Sequence, residues 1–206
     1  MENTNTNSDE VRDPSKIYLP KFNESKIFGS KKIGSEPVSI LKEIGISAGE
    51  TVVDFGSGFG FFDVEAARMV GENGRVIAVD IRKEALDGVK QKSFASGLRN
   101  IFGVLADLTL PRSTTLPDAT VDTVLIINLL YMIDDKAAVL KEAYRILKPG
   151  GKMVIMEWTE KGALVMIEKE HIVAAKDIKE LTRKQGFKKL RSFEAGLSHE
   201  VNIFVK

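Results

Sequence analysis

The chain has 206 residues, 43% hydrophobic and 29% charged, which supplies enough apolar material for one substantial core in a single globular domain. Thirty basic residues against twenty-nine acidic ones leave a formal net charge of +1, so no whole-chain field draws in nucleic acid or an anionic membrane. Cysteine is absent, which removes disulfides, thiolate metal sites and cysteine nucleophiles.

Residues 1–15 are polar and poor in apolar side chains, and are expected to form a disordered tail. Met1 to Ser8 carry neither the basic start nor the apolar stretch of a secretion signal, and a cytoplasmic address is the expectation. Residues 16–34 differ: Ile17, Tyr18, Phe22, Ile27, Phe28 and Ile33 are scattered among Pro20, Gly29 and Gly34. This composition predicts an ordered arm, laid over the domain as a lid or packed on a sheet edge. Residues 35–206 form the folded domain.

Glu36 to Ile44 reads as a short helix ended by Gly45, and Thr51 to Phe55 as the first strand. The run Val53-Asp54-Phe55-Gly56-Ser57-Gly58-Phe59-Gly60 then turns from a buried strand through alternate glycines into a helix. Glycine takes positive φ in such a turn and lets a ligand lie against bare peptide. Gly56-x-Gly58 opens the dinucleotide fingerprint, but its last position falls on Phe61, too large for close packing of helix on strand. A nicotinamide-dependent oxidoreductase is therefore the weaker reading.

Phe62, Ala66, Met69 and Val70 recur at helical spacing, Gly71 and Gly74 close that segment, and Arg75 to Asp80 is a second strand. A right-handed β-α-β crossover places both strand ends on one edge of a parallel sheet, with Asp80 beside the glycine loop. A carboxylate there accepts hydrogen bonds from vicinal ribose hydroxyls and repels a 2′-phosphate. Leu86 and Val89 mark the next helix, Ile101 to Leu105 a third strand, and Val121 to Ile127 a fourth, buried on both faces. The apolar stretch Val121 to Ile133 is too short to span a membrane and contains Asp122 and Asn128.

Asp134 or Asp135 can cap a helix whose Val139, Leu140, Ala143, Ile146 and Leu147 share one face. Lys148 suits its negative end, and Pro149-Gly150-Gly151 is expected to stop it. Met153 to Glu157 is strand five and Ala174 to Gln185 a last helix, with Phe187 to Phe193 and Leu197 to Val205 as a closing hairpin. The alternation predicts an α/β sandwich around a mostly parallel sheet. Arg183, Lys184, Lys188, Lys189 and Arg191 are the densest basic patch and read as a solvated face.

Four stretches in this order resemble the class I S-adenosylmethionine-dependent methyltransferases, in particular the small type 11 group that includes quinone-biosynthesis enzymes. They are Val53 to Gly60, Val79-Asp80-Ile81, Ala106-Asp107-Leu108, and Arg145 to Lys152; the resemblance covers roughly Val38 to Lys206. It implies a three-layer α/β/α Rossmann-like sandwich with a seven-stranded sheet of order 3-2-1-4-5-7-6, the last strand antiparallel. It implies S-adenosyl-L-methionine as cofactor. Asp54, Phe55, Gly56, Ser57, Gly58 and Gly60 would lie along the methionine moiety, with Asp54 near its ammonium. Asp80 and Ile81 would hold the ribose side, Asp107 and Leu108 the adenine side. In such relatives an arm like residues 16–34 often covers the cofactor.

In open parallel sheets ligands bind beyond the carboxyl ends of the strands where strand order reverses, here after strands one and four. Asn128, just past strand four, is placed with the cofactor, and Tyr131 and Trp158 are candidate substrate contacts. Asn128-Leu129-Leu130-Tyr131 has the spacing of the Asn-Pro-Pro-Tyr motif of adenine amino-group methyltransferases but lacks both prolines, so that assignment does not follow.

A sulfonium already activates its methyl group, so in-line displacement needs alignment and dehydration more than an acid and base pair, and no catalytic acid or base is assigned. Only two histidines occur. His171, in Glu168-Lys169-Glu170-His171, has carboxylate-bridged metal spacing, but no second copy exists and helix surface polarity explains it. His199 is expected at the surface, and no metal site is predicted. Motifs for nucleotide hydrolysis, serine acyl transfer and zinc proteolysis are missing. A small-molecule acceptor is favoured over protein or RNA, because the connection after strand five is too short for a large substrate domain. A non-catalytic S-adenosylmethionine-binding sensor or partner subunit is the alternative.

Overall fold

The computed structural model describes residues 36–159 and 172–206. The expectations for residues 1–15 and 16–34, and the Glu168 to His171 spacing, lie outside the described residues. Helix α1 (Pro37–Ile44) opens with proline in its first turn and ends at Gly45, whose φ of 80° returns its amide to the carbonyls of Leu41 and Lys42. Strand β1 (Thr51–Phe55), helix α2 (Asp63–Val70), strand β2 (Arg75–Asp80), helix α3 (Lys83–Ala95) and strand β3 (Ile101–Leu105) follow. Strand β4 (Val121–Ile127), a short 3₁₀ turn (Leu130–Met132), helix α4 (Lys136–Ile146) and strand β5 (Leu147–Trp158) come next. Helix α5 (Ala175–Lys184), strand β6 (Lys188–Ala195) and strand β7 (His199–Val205) end the chain.

The seven strands form one sheet in the order β3-β2-β1-β4-β5-β7-β6, as the resemblance implied. Neighbours from β3 to β5 pair in parallel, and β7 is antiparallel to both β5 and β6. Successive side chains on a strand point to opposite faces, and this alternation builds two cores. Val53, Phe55, Val124, Ile126, Met153 and Ile155 pack with Val139, Leu140, Ala143 and Ile146 of α4. Val52, Val76, Leu125, Val154 and Met156 pack with Ile40, Leu41 and Ile44 of α1 and Ala66, Ala67 and Val70 of α2. Removing each of the larger apolar side chains from water contributes about 1.5–3 kcal/mol, so β4, with its apolar run Val124 to Ile127, is held centrally and covered on both sides.

Asp135, one of two expected caps, accepts a hydrogen bond from the Ala138 amide at 3.0 Å. The far end of α4 departs from expectation. The helix stops at Ile146 because Leu147 already has extended backbone and pairs with Val121, so β5 begins there and Pro149-Gly150-Gly151 falls inside the strand. The register shifts between Val121 and Thr123, and Gly150, at φ 78°, takes up the extra residues. Lys148 bonds to Asp122 at 2.6 Å instead of the helix end. The basic patch is solvated as expected: Arg183, Lys184, Lys188, Lys189 and Arg191 are exposed.

Candidate cofactor site

Parallel strands β1, β2 and β4 all end on one edge, so whatever follows each of them meets at the reversal of strand order. After β1 the chain turns sharply: the amides of Gly56 and Ser57 both donate to the carbonyl of Val79, at 2.8 and 3.1 Å, and the Gly60 amide donates to Ser57 at 3.0 Å. Gly56, Gly58 and Gly60 have φ of 74°, 54° and 76°, a left-handed region that side chains with a β-carbon rarely enter. The three positions are packed differently. A β-carbon on Gly56 would lie 2.7 Å from Leu129 Cδ1, whereas one on Gly58 would meet nothing closer than Arg82 Nη2 at 4.0 Å. The turn after β4 thus rests on the first glycine, and the second presents bare peptide.

Asp80, at the end of β2 and only 5% exposed, closes the loop. Its Oδ2 accepts from the Gly58 amide at 2.9 Å, and its Oδ1 from the Arg82 amide at 2.9 Å and Arg82 Nε at 3.2 Å. The guanidinium lies 5.9 Å from the centroid of the Phe59 ring, covering the acid from outside. Ile81 is partly exposed beside it. Asp107 follows β3: its Oδ1 accepts from the Thr109 amide at 2.9 Å and hydroxyl at 2.6 Å, a side-chain turn that leaves Oδ2 for another donor. Leu108 beside it is buried.

The inner side of the loop is acidic. Asp54 is 3% exposed with Oδ1 unbonded; burial, then the charges of Asp63 and Asp80, hold its carboxyl well above the usual range. Asp63, the first residue of α2, is fully buried and neither oxygen bonds to another residue. Burial pushes it up to about 7, against the opposing pull of its own backbone and Lys92. Ser57 Oγ and Asn128 Oδ1 are also buried without a partner. Asn128 has φ 50°, and its amide donates to Met156 at 2.9 Å, which turns the chain back from β4.

A second cluster stands beside the first. Glu157, on β5 and 3% exposed, accepts from the Leu130 amide at 2.7 Å and so pins the turn that carries Tyr131. Burial pushes its carboxyl up to about 8, opposed by the amides of Leu130, Leu129 and Tyr131. Tyr131 and Trp158 pack together, and the Trp158 ring lies 4.1 Å from that of His199. The expectation of a surface His199 is incorrect: it is 2% exposed, and burial pushes its imidazole down to about 4. It shares a strand face with Val201 and Ile203, a period-two signal the sequence does carry.

Asp63 and Glu157 were also missed. Asp63 sits three residues before Ala66 on the buried helix face, and Glu157 directly follows the apolar run Met153 to Met156 in β5, so each is an acid at a core position. A cleft of about 650 Å³ is lined by Phe59 with Glu84, Asp87, Gly88, Gln91 and Lys92, touching the loop only at its exposed tip. Among the described residues no group of three or more His, Asp or Glu side chains is placed to hold a metal, and no helix is long and apolar enough to cross a membrane.

The family model described as a methyltransferase domain matches residues 46–196, the whole span from before β1 into the turn between β6 and β7. The chain belongs to this methyltransferase-domain family. The resemblance to class I S-adenosylmethionine-dependent methyltransferases, type 11 group, is upheld by the sheet order and by similar proteins. A solved S-adenosylmethionine-dependent methyltransferase from Aquifex aeolicus is 26% identical, with a TM-score of 0.76 over 94% of this methyltransferase-domain chain and 99% of its own. An arsenic(III) S-adenosylmethionine methyltransferase from Chlamydomonas reinhardtii is 25% identical, with a TM-score of 0.61 over 78% of this chain and 63% of its own. The ubiquinone/menaquinone biosynthesis C-methyltransferase of Enterobacter sp. (strain 638) is 34% identical over 120 residues, which is 56% of this chain and 45% of that protein. The chain thus spans about half the length of the curated relatives it matches.

Proposed function

We propose that the chain transfers a methyl group from S-adenosylmethionine to a small-molecule acceptor. One observation carries this reading: the carboxylate of Asp80 accepts the Gly58 amide at 2.9 Å, which joins the ends of β1 and β2 at the reversal of strand order. The residues present fit that cofactor. Gly58 offers bare peptide, Asp54 and Asn128 carry buried oxygens in want of donors, and Asp107 keeps one oxygen free. Gly56, Ser57, Gly58 and Gly60, with Asp54 and Phe55, would hold the amino-acid part; Asp80 and Ile81 the ribose; Asp107 and Leu108 the adenine.

The bound cofactor supplies an activated methyl group on a sulfonium. The chain supplies alignment and dehydration. Four contacts now fill Asp80, so with the cofactor bound the Arg82 side chain would have to leave it before its carboxylate could accept from the ribose hydroxyls. Tyr131 and Trp158 would wall the acceptor side, where Glu157 fixes the turn and excluded water would leave the nucleophile reactive. An acceptor that arrives as an anion or free amine needs no base. The absence of cysteine separates this chain from thiolate chemistry, and the names of the curated relatives support a small organic acceptor.

Purified protein incubated with methyl-labelled S-adenosylmethionine and a cell extract, then fractionated into small molecules, protein and RNA, tests the proposal. Label is expected among the small molecules. Label confined to protein or RNA overturns the acceptor class. No label in any fraction, with cofactor bound, favours a non-catalytic sensor or partner subunit.

A further inference from the structure

Asp63 has no role in the proposed function, yet it is a costly side chain to bury. A buried carboxylate without hydrogen bonds costs several kcal/mol as an anion and still costs about 1–3 kcal/mol as an unpaired polar group. Buried polar groups are otherwise satisfied in native folds, so each exception calls for an explanation. Asp63 is 0% exposed, and both of its oxygens lack a partner on any other residue. It stands at the first position of an eight-residue helix, directly after the glycine loop. Its Oδ2 lies 3.3 Å from where a β-carbon on Gly60 would be, so the carboxylate faces the loop and not solvent. Asp54 of β1 is a neighbour close enough for the charge of Asp63 to act on it, with its own Oδ1 unbonded and buried.

We infer that Asp63 is a cofactor-binding residue, its carboxylate receiving with Asp54 the ammonium of the amino-acid end of S-adenosylmethionine. This rests on the cofactor reading above and extends it. Two buried neighbouring acids require a cation or a proton beside them. The acids are not arranged as a metal cage, because no group of three His, Asp or Glu side chains among the described residues can surround an ion. An alkylammonium satisfies them with three N–H donors. The groups facing Asp63 are Asp54 from β1, Asp80 from β2 and Lys92 from α3. Asp80 accepts from Gly58 and is taken up by the ribose in the proposed function, which leaves the inner pair for the ammonium, binding of which would release the proton held there.

The test compares two probes, S-adenosylhomocysteine and 5′-methylthioadenosine, the second having the nucleoside and sulfur but no ammonium. Dissociation constants are measured by calorimetry for the wild-type protein and Asp63→Asn. The variant is expected to lose about tenfold or more for S-adenosylhomocysteine, the scale of a hydrogen bond to a charged group, and to bind 5′-methylthioadenosine unchanged. A second arm uses the unaltered protein. Its affinity for S-adenosylhomocysteine should fall as pH drops below about 7, where Asp63 takes up its proton, with protons released to buffer on binding, while 5′-methylthioadenosine shows neither effect. Equal losses for both probes in the variant, or a pH-independent affinity for S-adenosylhomocysteine, overturn the inference and leave the cofactor reading standing. Failure of the unaltered protein to bind either probe overturns both.

Discussion

Asp80 and Gly58 are separated by a strand and a helix in sequence, yet the carboxylate of one holds the amide of the other at 2.9 Å. The same acid binds the backbone and side chain of Arg82, so one residue sets loop shape, strand edge and local charge together. Asp80→Ala is expected to weaken S-adenosylhomocysteine binding by about 1.5–3 kcal/mol, the range for hydrogen bonds involving a charged group. Asp80→Asn should lose less, since its amide oxygen still accepts. Titration calorimetry decides this; unchanged affinity in the alanine variant would mean that the ribose is held elsewhere.

The glycines should separate folding from binding. Gly56→Ala forces a β-carbon into left-handed backbone and against Leu129 Cδ1 at 2.7 Å, and is expected to cost about 2–3 kcal/mol of stability. Gly58→Ala meets open space, so its stability loss should stay at about 1 kcal/mol while cofactor affinity is expected to drop further, because the added methyl would stand on the surface proposed for the ligand. Denaturant melts with parallel binding titrations compare the two. Equal effects on stability and no loss of binding would exclude Gly58 from the cofactor surface.

Glu157 should make stability depend on pH with a definite sign. Its folded carboxyl is raised from 4.5 to about 8, so the folded state binds the extra proton and stability declines as pH rises between those values. Glu157→Gln keeps an acceptor for the Leu130 amide but cannot ionise. The variant should therefore gain in Tm relative to the unaltered protein as pH goes from 5 to 8. A constant difference across that range would show that the carboxylate ionises as freely as in water.

Trp158 is the single tryptophan, which makes its emission a reporter of His199, 4.1 Å away. A protonated imidazole quenches indole, and burial pushes His199 down to about 4. Emission should stay level from pH 8 to 5.5 and fall only on approach to about pH 4, with no such step in His199→Gln. A quenching midpoint near 6.5 would place the imidazole in water.

Much of this fold was legible because its central strands carry apolar runs. Val121 to Ile127, apolar but for Asp122 and Thr123, reads as a strand covered on both faces, and the alternation of Gly56, Gly58 and Gly60 as a turn. The start of β5 was not legible, since Leu147 carries the helix periodicity of α4 and its pairing with Val121 comes from a distant segment. The site was read through residues that interrupt a pattern. Asp63, Glu157 and His199 instead occupy positions the pattern assigns to apolar side chains, and period alone reports burial without reporting chemistry. Asp107 shows the reverse case: the turn chemistry expected of it and a free oxygen for a ligand coexist in one side chain.

The most direct test is a crystal structure of the protein with S-adenosylhomocysteine. The ribose hydroxyls are expected within hydrogen-bond distance of Asp80, Arg82 displaced from that carboxylate, and the amino-acid end against Gly56 to Gly60. A nucleoside bound away from the glycine loop, or an Asp80 still clasped by Arg82 with ligand present, would contradict it.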